Sequence, residues 1–353
     1  MMKNIATLLL LFIVNVSVAQ DKPETKLSTY LAQQEFSGAI LLQGNESSPI
    51  VAANGYKDLE SKTDINTEDR FKIASITKLF TAVLVMQLVD EGKLQLDDTV
   101  EEFLPTLGIT NSKKIQITHL LQHTSGLQNE SKLSYLNTLD PVASIQKFAT
   151  KKALFKPGKS FNYNNIDYIL LGLIIEEQTG KSYLENLETR ILNPIGLENT
   201  GLLEQKDVDD LVVQAYELKK SGLQKEISIH IENFWAAGSM YSTLTDLLKF
   251  TKALKSEELL SDSAKEALFA SSAELGYAAL GCWTFNSPFI AGQPRVMERR
   301  GGILGSNAVI MTSLDGPETL IALSNTDQFN TDTFGDSSNM KEYLFQTLFN
   351  RKD

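Results

Sequence analysis

The sequence predicts an α/β fold in which strands from both ends of the chain share one sheet and a mostly helical region is inserted between them. Near the N-terminus, the apolar runs Ser37–Gly44 and Ser48–Tyr56 are bounded by Gly, Asn and Ser, which is typical of paired strands. Similar runs predict strands near the C-terminus at Arg295–Arg300, Asn307–Thr312 and Thr319–Ser324. Because the helical region would pack against this sheet, we expect a functional site where the two parts meet.

The helices predicted between and after these strands are indicated by apolar residues at helical spacing. The first begins near Ser75 and stops before Gly92, a residue type that commonly ends helices. Its apolar positions lie one, three or four residues apart: Leu79, Phe80, Val83, Leu84 and Leu88. A second helix is predicted over Ile166–Gly180, and a final one over about Ser338–Phe349.

Composition excludes some classes of function. The chain has 353 residues, 42% hydrophobic and 22% charged, which is enough for one large core or two closely packed domains. Its formal charge of −11 argues against nucleic acid as a partner, because no basic surface for phosphates is supplied. The single cysteine, Cys282, excludes an internal disulfide.

Residues 1–19 are expected to be a signal peptide rather than part of the fold. Lys3 precedes a short apolar run, Ile5–Val16, and Ser17-Val18-Ala19 offers small residues for cleavage. The run is short for a membrane span, and no cysteine follows it to carry a lipid anchor. We therefore expect an exported, periplasmic or secreted protein without a membrane anchor, whose formal charge becomes −12 when Lys3 is removed.

Ser75 and Lys78 form a candidate nucleophile and base. Residues three apart on a helix lie on one face, and a serine hydroxyl needs a neighbouring base to become a nucleophile. A lysine can serve only when neutral, which requires its pKa to fall by about 3 units through burial. Ser144 and Lys147 have the same spacing but lie in a lysine-rich segment, so they are expected on a solvated helix face.

Tyr163 and Asn165 form a second candidate pair. In extended backbone they lie on the same side, where a phenol can transfer protons and an amide can orient a substrate or a lysine. Tyr135 and Asn137 repeat the spacing in a polar loop. For either pair, the alternative is a capped turn.

Phosphate-binding and metal motifs are incomplete, so no cofactor and no metal are expected. PGKS and TGKS lack the required first glycine, which is replaced by Ala153 and Ile175. His119 and His123 have the spacing of a zinc helix, but Leu120 replaces the glutamate, and His230 is distant in sequence.

Eight segments, in order, resemble the serine β-lactamase-related family, which includes class C β-lactamases, D-Ala-D-Ala carboxypeptidases and esterases. The resemblance extends from about Phe36 to Thr326. The segments are FSGAILL, RFKIASITK, GKLQLDDTVEEFLP, ITHLLQHTSGL, FKPGKSFNYNN, LLGLIIEEQTGKSY, NPIGLENT and AAGSMYSTLTDLLKF. This resemblance favours Ser75 and Tyr163 over the two repeated patterns and implies that His123 is a loop residue.

The resemblance implies a β-lactamase/transpeptidase-like fold, with an antiparallel sheet flanked by helices and an inserted, mostly helical domain. The sheet domain would comprise residues 20–80 and 245–353, and the helical domain residues 81–244.

The resemblance also implies roles for site residues. Ser75 would be acylated, Lys78, alone or with Tyr163, would accept the serine proton, and Tyr163 would protonate the leaving group. Asn165 would orient substrate and lysine, and the amides of Ser75 and Gly302 would hold the oxyanion.

After the serine–lysine and tyrosine–asparagine motifs, the family has a third motif on a strand that borders the site, and there this chain departs from the family pattern. Where Lys-Thr-Gly or His-x-Gly is expected, this chain has Arg299-Arg300-Gly301, followed by Gly302. Arginine keeps a positive charge that can bind a substrate carboxylate, but it does not exchange protons. We expect Arg299 to replace the substrate anchor, with altered specificity or weak activity as the alternative. The sequence leaves open whether Arg299 or Arg300 faces the site.

The expected function is therefore an exported serine hydrolase that acts through an acyl-serine intermediate. Its substrate would be a small molecule or peptide with an amide or ester bond: a β-lactam, a D-amino-acid peptide or a small ester. A transpeptidase would differ only in the acceptor. The alternative class is a non-catalytic protein of the same fold that binds cell-wall peptides or a protein partner. The sequence leaves the oligomeric state undetermined.

Overall fold

The computed structural model describes residues 22–46 and 48–350, and the predicted signal peptide at residues 1–19 lies outside them. The strands are β1 (Gly38–Gln43), β2 (Ile50–Asn54), β3 (Tyr56–Asp58), β4 (Thr63–Asp64), β5 (Phe71–Lys72), β6 (Gly201–Leu202), β7 (Tyr216–Lys219), β8 (Gly222–Lys225), β9 (Met240–Ser242), β10 (Trp283–Asn286), β11 (Arg295–Ile303), β12 (Ser306–Ser313) and β13 (Thr319–Ser324).

The α-helices are α1 (Pro23–Gln33), α2 (Thr77–Asp90), α3 (Val100–Phe103), α4 (Ile117–Leu121), α5 (Pro141–Phe148), α6 (Asn165–Thr179), α7 (Tyr183–Leu187), α8 (Val208–Leu211), α9 (Leu244–Lys255), α10 (Asp262–Leu268) and α11 (Met340–Asn350). A π-helical stretch, Glu188–Leu192, continues α7. Short 3₁₀ turns occur at Ala74–Ile76, Lys132–Leu136, Gln205–Asp207, Ile231–Ala237 and Ala273–Leu275.

An antiparallel sheet in the order β10-β11-β12-β13-β1-β2 joins the two ends of the chain, as predicted. The register of the β1–β13 pair places Gly38 opposite Ser324. Strand β13 has the predicted bounds, and the other predicted C-terminal strands lie within β11 and β12. This sheet with its flanking helices confirms the predicted fold class.

Both faces of the sheet are buried because successive side chains enter different cores. In β1, Ala39 and Leu41 belong to the core shared with α2 and α6, whereas Ile40 and Leu42 belong to the core covered by α1 and α11. The β-strands are therefore apolar on both sides, which explains why their sequences lack strict alternation.

Helix α2 carries the candidate nucleophile region and is buried almost all round. Eleven of its fourteen residues are buried, Lys78 among them. A helix that is apolar on every side is one that lies inside a protein. It packs against α6, whose N-cap Asn164 accepts a hydrogen bond from the Ile166 amide at 2.9 Å.

The middle of the chain is less uniformly helical than predicted. It contains β6 to β9; β9 pairs with β5 and β6, and β7 and β8 form a hairpin. The short strands lack the length that would make a periodic pattern visible in sequence. The division into domains at residues 80 and 245 stays a prediction. Across residues 22–46 and 48–350, none of the helices has the length and apolar character needed to cross a membrane.

Candidate active site

Ser75 lies in a tight turn between β5 and α2. The 3₁₀ turn Ala74–Ile76 follows β5, and Ala74 has a φ of +44°, a conformation that residues with a Cβ rarely adopt. The Thr77 hydroxyl donates to the Ala74 carbonyl at 2.7 Å and holds the turn closed. Ser75 remains partly exposed, so its hydroxyl faces a cleft while its neighbours are buried.

Lys78 lies beneath Ser75 and is fully buried, with 0% of its surface exposed. Its Nζ is 3.1 Å from Ser75 Oγ, 2.7 Å from Asn165 Oδ1 and 2.6 Å from the Ala237 carbonyl oxygen. Burial lowers the pKa of Lys78 from its ordinary value; Tyr163 opposes the shift and the Arg299 cation adds to it. The lysine thus has the desolvated surroundings that a neutral amine requires.

Tyr163 and Asn165 approach from the start of α6. The Asn164 amide between them donates to His123 Nδ1 at 3.1 Å, which fixes the backbone that carries both side chains. The Tyr163 hydroxyl accepts a hydrogen bond from Arg299 Nη2 at 2.9 Å. Burial alone would raise the pKa of Tyr163. The Arg299 and Lys78 cations, with hydrogen bonds to Lys78 and Ser75, outweigh burial and bring this pKa to about 8.

Arg299 lies beneath the site and not in the cleft. Only 1% of its surface is exposed, and its Nε donates to the Ser75 carbonyl oxygen at 2.7 Å. This placement does not fit the expectation that Arg299 binds a substrate carboxylate, because a ligand cannot reach its guanidinium. Its contacts instead join the nucleophile turn to the Tyr163 hydroxyl.

Arg300 points to the other side of β11 and reaches the cleft. It lines a depression of about 320 Å³ beside Ser75, together with Phe161 and Trp283. Its guanidinium contacts the buried carboxylate of Glu298 and the exposed carboxylate of Asp332. The open question of which arginine faces the site is therefore answered by the strand's alternation: Arg300 faces the cleft.

The two glycines after these arginines let the strand and the nucleophile turn approach closely. A Cβ on Gly301 would lie 2.1 Å from the Ile73 carbonyl oxygen, whereas a Cβ on Gly302 would meet only the Asn307 side chain, at 3.0 Å. Gly302 lines the cleft next to Ser75.

We expect Gly301→Ala to lower the free energy of unfolding by about 3 kcal/mol or more, because backbone would have to move apart. Chemical denaturation of purified protein measures this change. Gly302→Ala is the matched control and should cost clearly less, since a side chain can yield. Equal losses for the two variants would contradict the close-approach argument.

A larger depression, which we name the apolar lobe, opens on the other side of Ser75. It has a volume of about 620 Å³. Its lining is dominated by aliphatic and aromatic side chains: Leu136, Ile227, Ile229, Phe234, Ile303 and Leu304. The nucleophile thus lies between two depressions of different chemistry.

Sequence reasoning missed Glu130 and Tyr135. Glu130 Oε1 accepts from Asn165 Nδ2 at 2.6 Å and from the Tyr135 hydroxyl at 2.5 Å, and Tyr135 lines the apolar lobe. The Tyr135-Leu136-Asn137 pattern set aside in the sequence therefore borders the site. Burial and the Glu130 carboxylate raise the pKa of Tyr135, so it stays a phenol.

Sequence reasoning also missed the buried pair His123 and Asp167 below Tyr163. The His123 ring lies 4.4 Å from the Tyr163 ring, measured between centroids, and its Nδ1 is 3.6 Å from Asp167 Oδ2. Burial, with the Lys78 and Arg299 cations, lowers the pKa of His123 well below its usual value. Burial raises the pKa of Asp167 well above its usual value, opposed by the Ser125 hydrogen bond. Both shifts favour the neutral forms of these two side chains.

The second serine–lysine pattern differs in part from its prediction. Lys147 is exposed, as expected for a solvated face. Ser144, on the same helix α5, is buried, with 3% of its surface exposed. The Ser144 amide donates to the Asp140 carbonyl oxygen at 2.9 Å, as part of the first turn of α5.

Metal ligands are not grouped in the described ranges 22–46 and 48–350: no set of three or more His, Cys, Asp or Glu side chains there could hold an ion. Cys282 is buried, and burial raises its pKa to about 12, so the thiol stays protonated.

Comparisons with known proteins identify the family of this chain. A family model described as Beta-lactamase matches residues 24–345. Teichoic acid D-alanine hydrolase of Staphylococcus aureus is 30% identical over 244 residues, which cover 69% of this chain and 60% of that protein. The chain thus matches about 60% of the length of these curated relatives.

Solved structures show the same architecture. A D-stereospecific amidohydrolase from Streptomyces sp. is 26% identical, with a TM-score of 0.74 over 87% of this chain and 95% of that one. A penicillin-binding protein from Bacillus halodurans, 24% identical, has a TM-score of 0.76 over 87% and 95% of the two chains and shows the fold alone. These matches confirm the resemblance seen in the sequence and the β-lactamase/transpeptidase-like fold. The chain belongs to the Beta-lactamase family.

Proposed function

We propose that the chain is an exported serine hydrolase that forms an acyl-serine intermediate from an amide or ester. The observation that carries the proposal is the set of contacts around Lys78 Nζ. Among the neighbours of this nitrogen, Asn165 Oδ1 and the Ala237 carbonyl oxygen can only accept hydrogen bonds. The other two, Ser75 Oγ and the Tyr163 hydroxyl, can also donate.

A neutral lysine fits these contacts without an unmatched group. Its two N–H bonds go to Asn165 and Ala237, and its lone pair then points to the side where the Ser75 and Tyr163 hydroxyls lie. The Asn165 amide is held in this orientation because its Nδ2 donates to Glu130 at 2.6 Å. Lys78 is therefore proposed as the base that takes the Ser75 proton, while Asn165 directs its lone pair.

Acylation then proceeds in two steps. Ser75 Oγ bonds to the substrate carbonyl carbon, its proton passes to Lys78 Nζ, and the carbonyl electron pair moves to oxygen. The amides of Ser75 and Gly302 are proposed to bind this oxyanion, each worth about 2.7–4 kcal/mol of barrier. When the bond to the leaving group breaks, that group takes the Tyr163 proton, and Lys78 returns a proton to the phenolate.

Deacylation reverses the sequence with water in place of the leaving group. The Tyr163 and Lys78 pair takes a proton from water, whose oxygen attacks the acyl carbon, and Ser75 Oγ recovers a proton as it departs. Arg299 is proposed to hold the Tyr163 oxygen through both halves of the reaction, because its guanidinium stays charged.

The names of the relatives guide the substrate proposal. Two of them, a teichoic acid D-alanine hydrolase and a D-stereospecific amidohydrolase, are named for acting on D-configured substrates. We therefore propose D-amino-acyl amides or esters ahead of β-lactams and simple esters. The signal-like residues 1–19 support action outside the cytoplasm.

The acyl-serine proposal is tested by intact-mass spectrometry after incubation with a fluorophosphonate probe. We expect one adduct on the wild type and none on Ser75→Ala, because Ser75 lines the cleft and its Oγ lies 3.1 Å from the buried Lys78 Nζ. Ser144→Ala is the matched control and should label fully.

A wild type that takes up no probe, or Ser75→Ala that labels equally, would contradict the assignment. Ligand binding without turnover of p-nitrophenyl esters or nitrocefin would instead favour the alternative, a non-catalytic binding protein of this fold.

A further inference from the structure

The apolar lobe exposes hydrophobic side chains next to the nucleophile. At its mouth, Leu136 is 49% exposed and Ile227 is 57% exposed. Behind them, Phe234, Ile303 and Leu304 continue the apolar wall to Ser75. Grouped exposed apolar side chains in a concave surface are typical of ligand sites.

The lobe is poor in charge. Among its lining residues, all of which lie in the described ranges, Glu217 alone carries a charged side chain. Its carboxylate is 3.1 Å from Lys219 Nζ, which lies outside the lobe. A carboxylate that entered the lobe would lose hydration without gaining a cation, which costs several kcal/mol for a buried ion.

The walls of the lobe are held by contacts outside it. The segment that carries Ile227 and Ile229 is fixed by Glu226, which contacts Lys72 Nζ and accepts from the Gly305 amide at 3.4 Å. The Gly305 turn in turn packs so closely that a Cβ there would lie 2.5 Å from Tyr216 backbone atoms. This wall of the lobe is therefore preformed, and a ligand need not order it.

We propose, on the basis of the proposed hydrolase function, that the apolar lobe is the specificity site of this enzyme. It takes an uncharged aliphatic or aromatic group attached beside the scissile carbonyl and rejects a carboxylate in the same place. The substrate class is thus an amide or ester with an apolar, uncharged side chain next to the reacting bond.

The first arm of the test uses p-nitrophenyl esters of acetate, propionate, butyrate and pentanoate. We expect kcat/KM to rise by about fourfold for each methylene that enters the lobe. The second arm compares the 4-methylpentanoate ester with the hemisuccinate ester, which has nearly the same shape but ends in a carboxylate. The neutral ester should be favoured roughly tenfold or more.

Two variants at one exposed position distinguish a change in substrate recognition from a general loss of structure. Ile227→Lys and Ile227→Glu remove the same apolar surface but add opposite charges. The preference for 4-methylpentanoate over hemisuccinate should fall in the lysine variant and rise in the glutamate variant, with the two differing by roughly tenfold. Leu218→Lys, at a leucine that is 52% exposed on β7 and outside the lobe, should leave the preference unchanged.

The outcomes distinguish this inference from the function on which it rests. Hydrolysis of the esters with no dependence on chain length, or the same response in both Ile227 variants, would overturn the specificity site and leave the hydrolase intact. No hydrolysis of any ester, together with no probe adduct, would overturn the hydrolase and this inference with it.

Discussion

Lys78→Met is expected to lower kcat/KM by about 10³-fold for amides and aryl esters alike, because both need the Ser75 proton removed. Methionine fills a similar volume but cannot accept a proton. The Asn165 and Ala237 acceptors lose their donor, so folding must be checked by circular dichroism. Steady-state kinetics with a p-nitroanilide and a p-nitrophenyl ester of the same acyl group measure the effect.

Lys147→Met provides the matched control for Lys78→Met. It removes a lysine with the same spacing from a serine, but one that is exposed on α5. Its kinetics should equal those of the wild type. A folded Lys78→Met variant that kept more than about a tenth of wild-type kcat/KM would exclude Lys78 as the main base.

Tyr163→Phe is expected to affect amides far more than aryl esters. An amine leaves only when protonated, so loss of the phenol should reduce amide kcat/KM by about 10²–10⁴-fold. p-Nitrophenolate leaves without a proton, so kcat/KM for the p-nitrophenyl ester should fall much less. Tyr183→Phe, which removes a buried hydroxyl that contacts Thr81 away from the cleft, should not change the amide-to-ester ratio.

The pH dependence follows from the same two groups. Lys78 must be deprotonated to act as the base. Because its pKa is lowered, kcat/KM for the amide should rise as the pH passes a point below the usual pKa range of lysine. Tyr163 must be protonated to donate, so the rate should fall as the pH passes about 8. Tyr163→Phe should lose this falling limb. If Tyr163→Phe instead lowered kcat/KM equally for the amide and the ester, and its pH profile lost the rising limb, Tyr163 would be the base rather than the acid.

The central pair of the site could be predicted because helical geometry is local. A residue three positions after Ser75 must lie near it, and the apolar run around Lys78 indicated the burial that the structure shows. The sheet could be predicted for a related reason. Its C-terminal strands are long enough for their apolar runs to be recognised, and only the pairing of β13 with β1 is nonlocal.

The remaining parts of the site depend on contacts that no local pattern reports. The side that Arg299 faces depends on strand alternation relative to the close approach at Gly301, which a sequence does not display. Glu130 and His123 lie in loops that meet Asn165 and Asn164 only after folding. The burial of Ser144 could not be predicted, because the lysines that follow it closely in the sequence indicate a solvated helix face.

The order of strands in the sheet has a consequence for how the protein matures. Strand β1 is synthesised early, but it lies between β2 and β13, so one of its two neighbours is the last strand in the described part of the chain. Closing such a long loop costs entropy and slows folding. On a ribosome, a nascent chain that has reached α2 already contains Ser75 and Lys78 but lacks Gly302. The proposed hydrolytic competence should thus emerge only after β11 to β13 have been made and have joined the sheet.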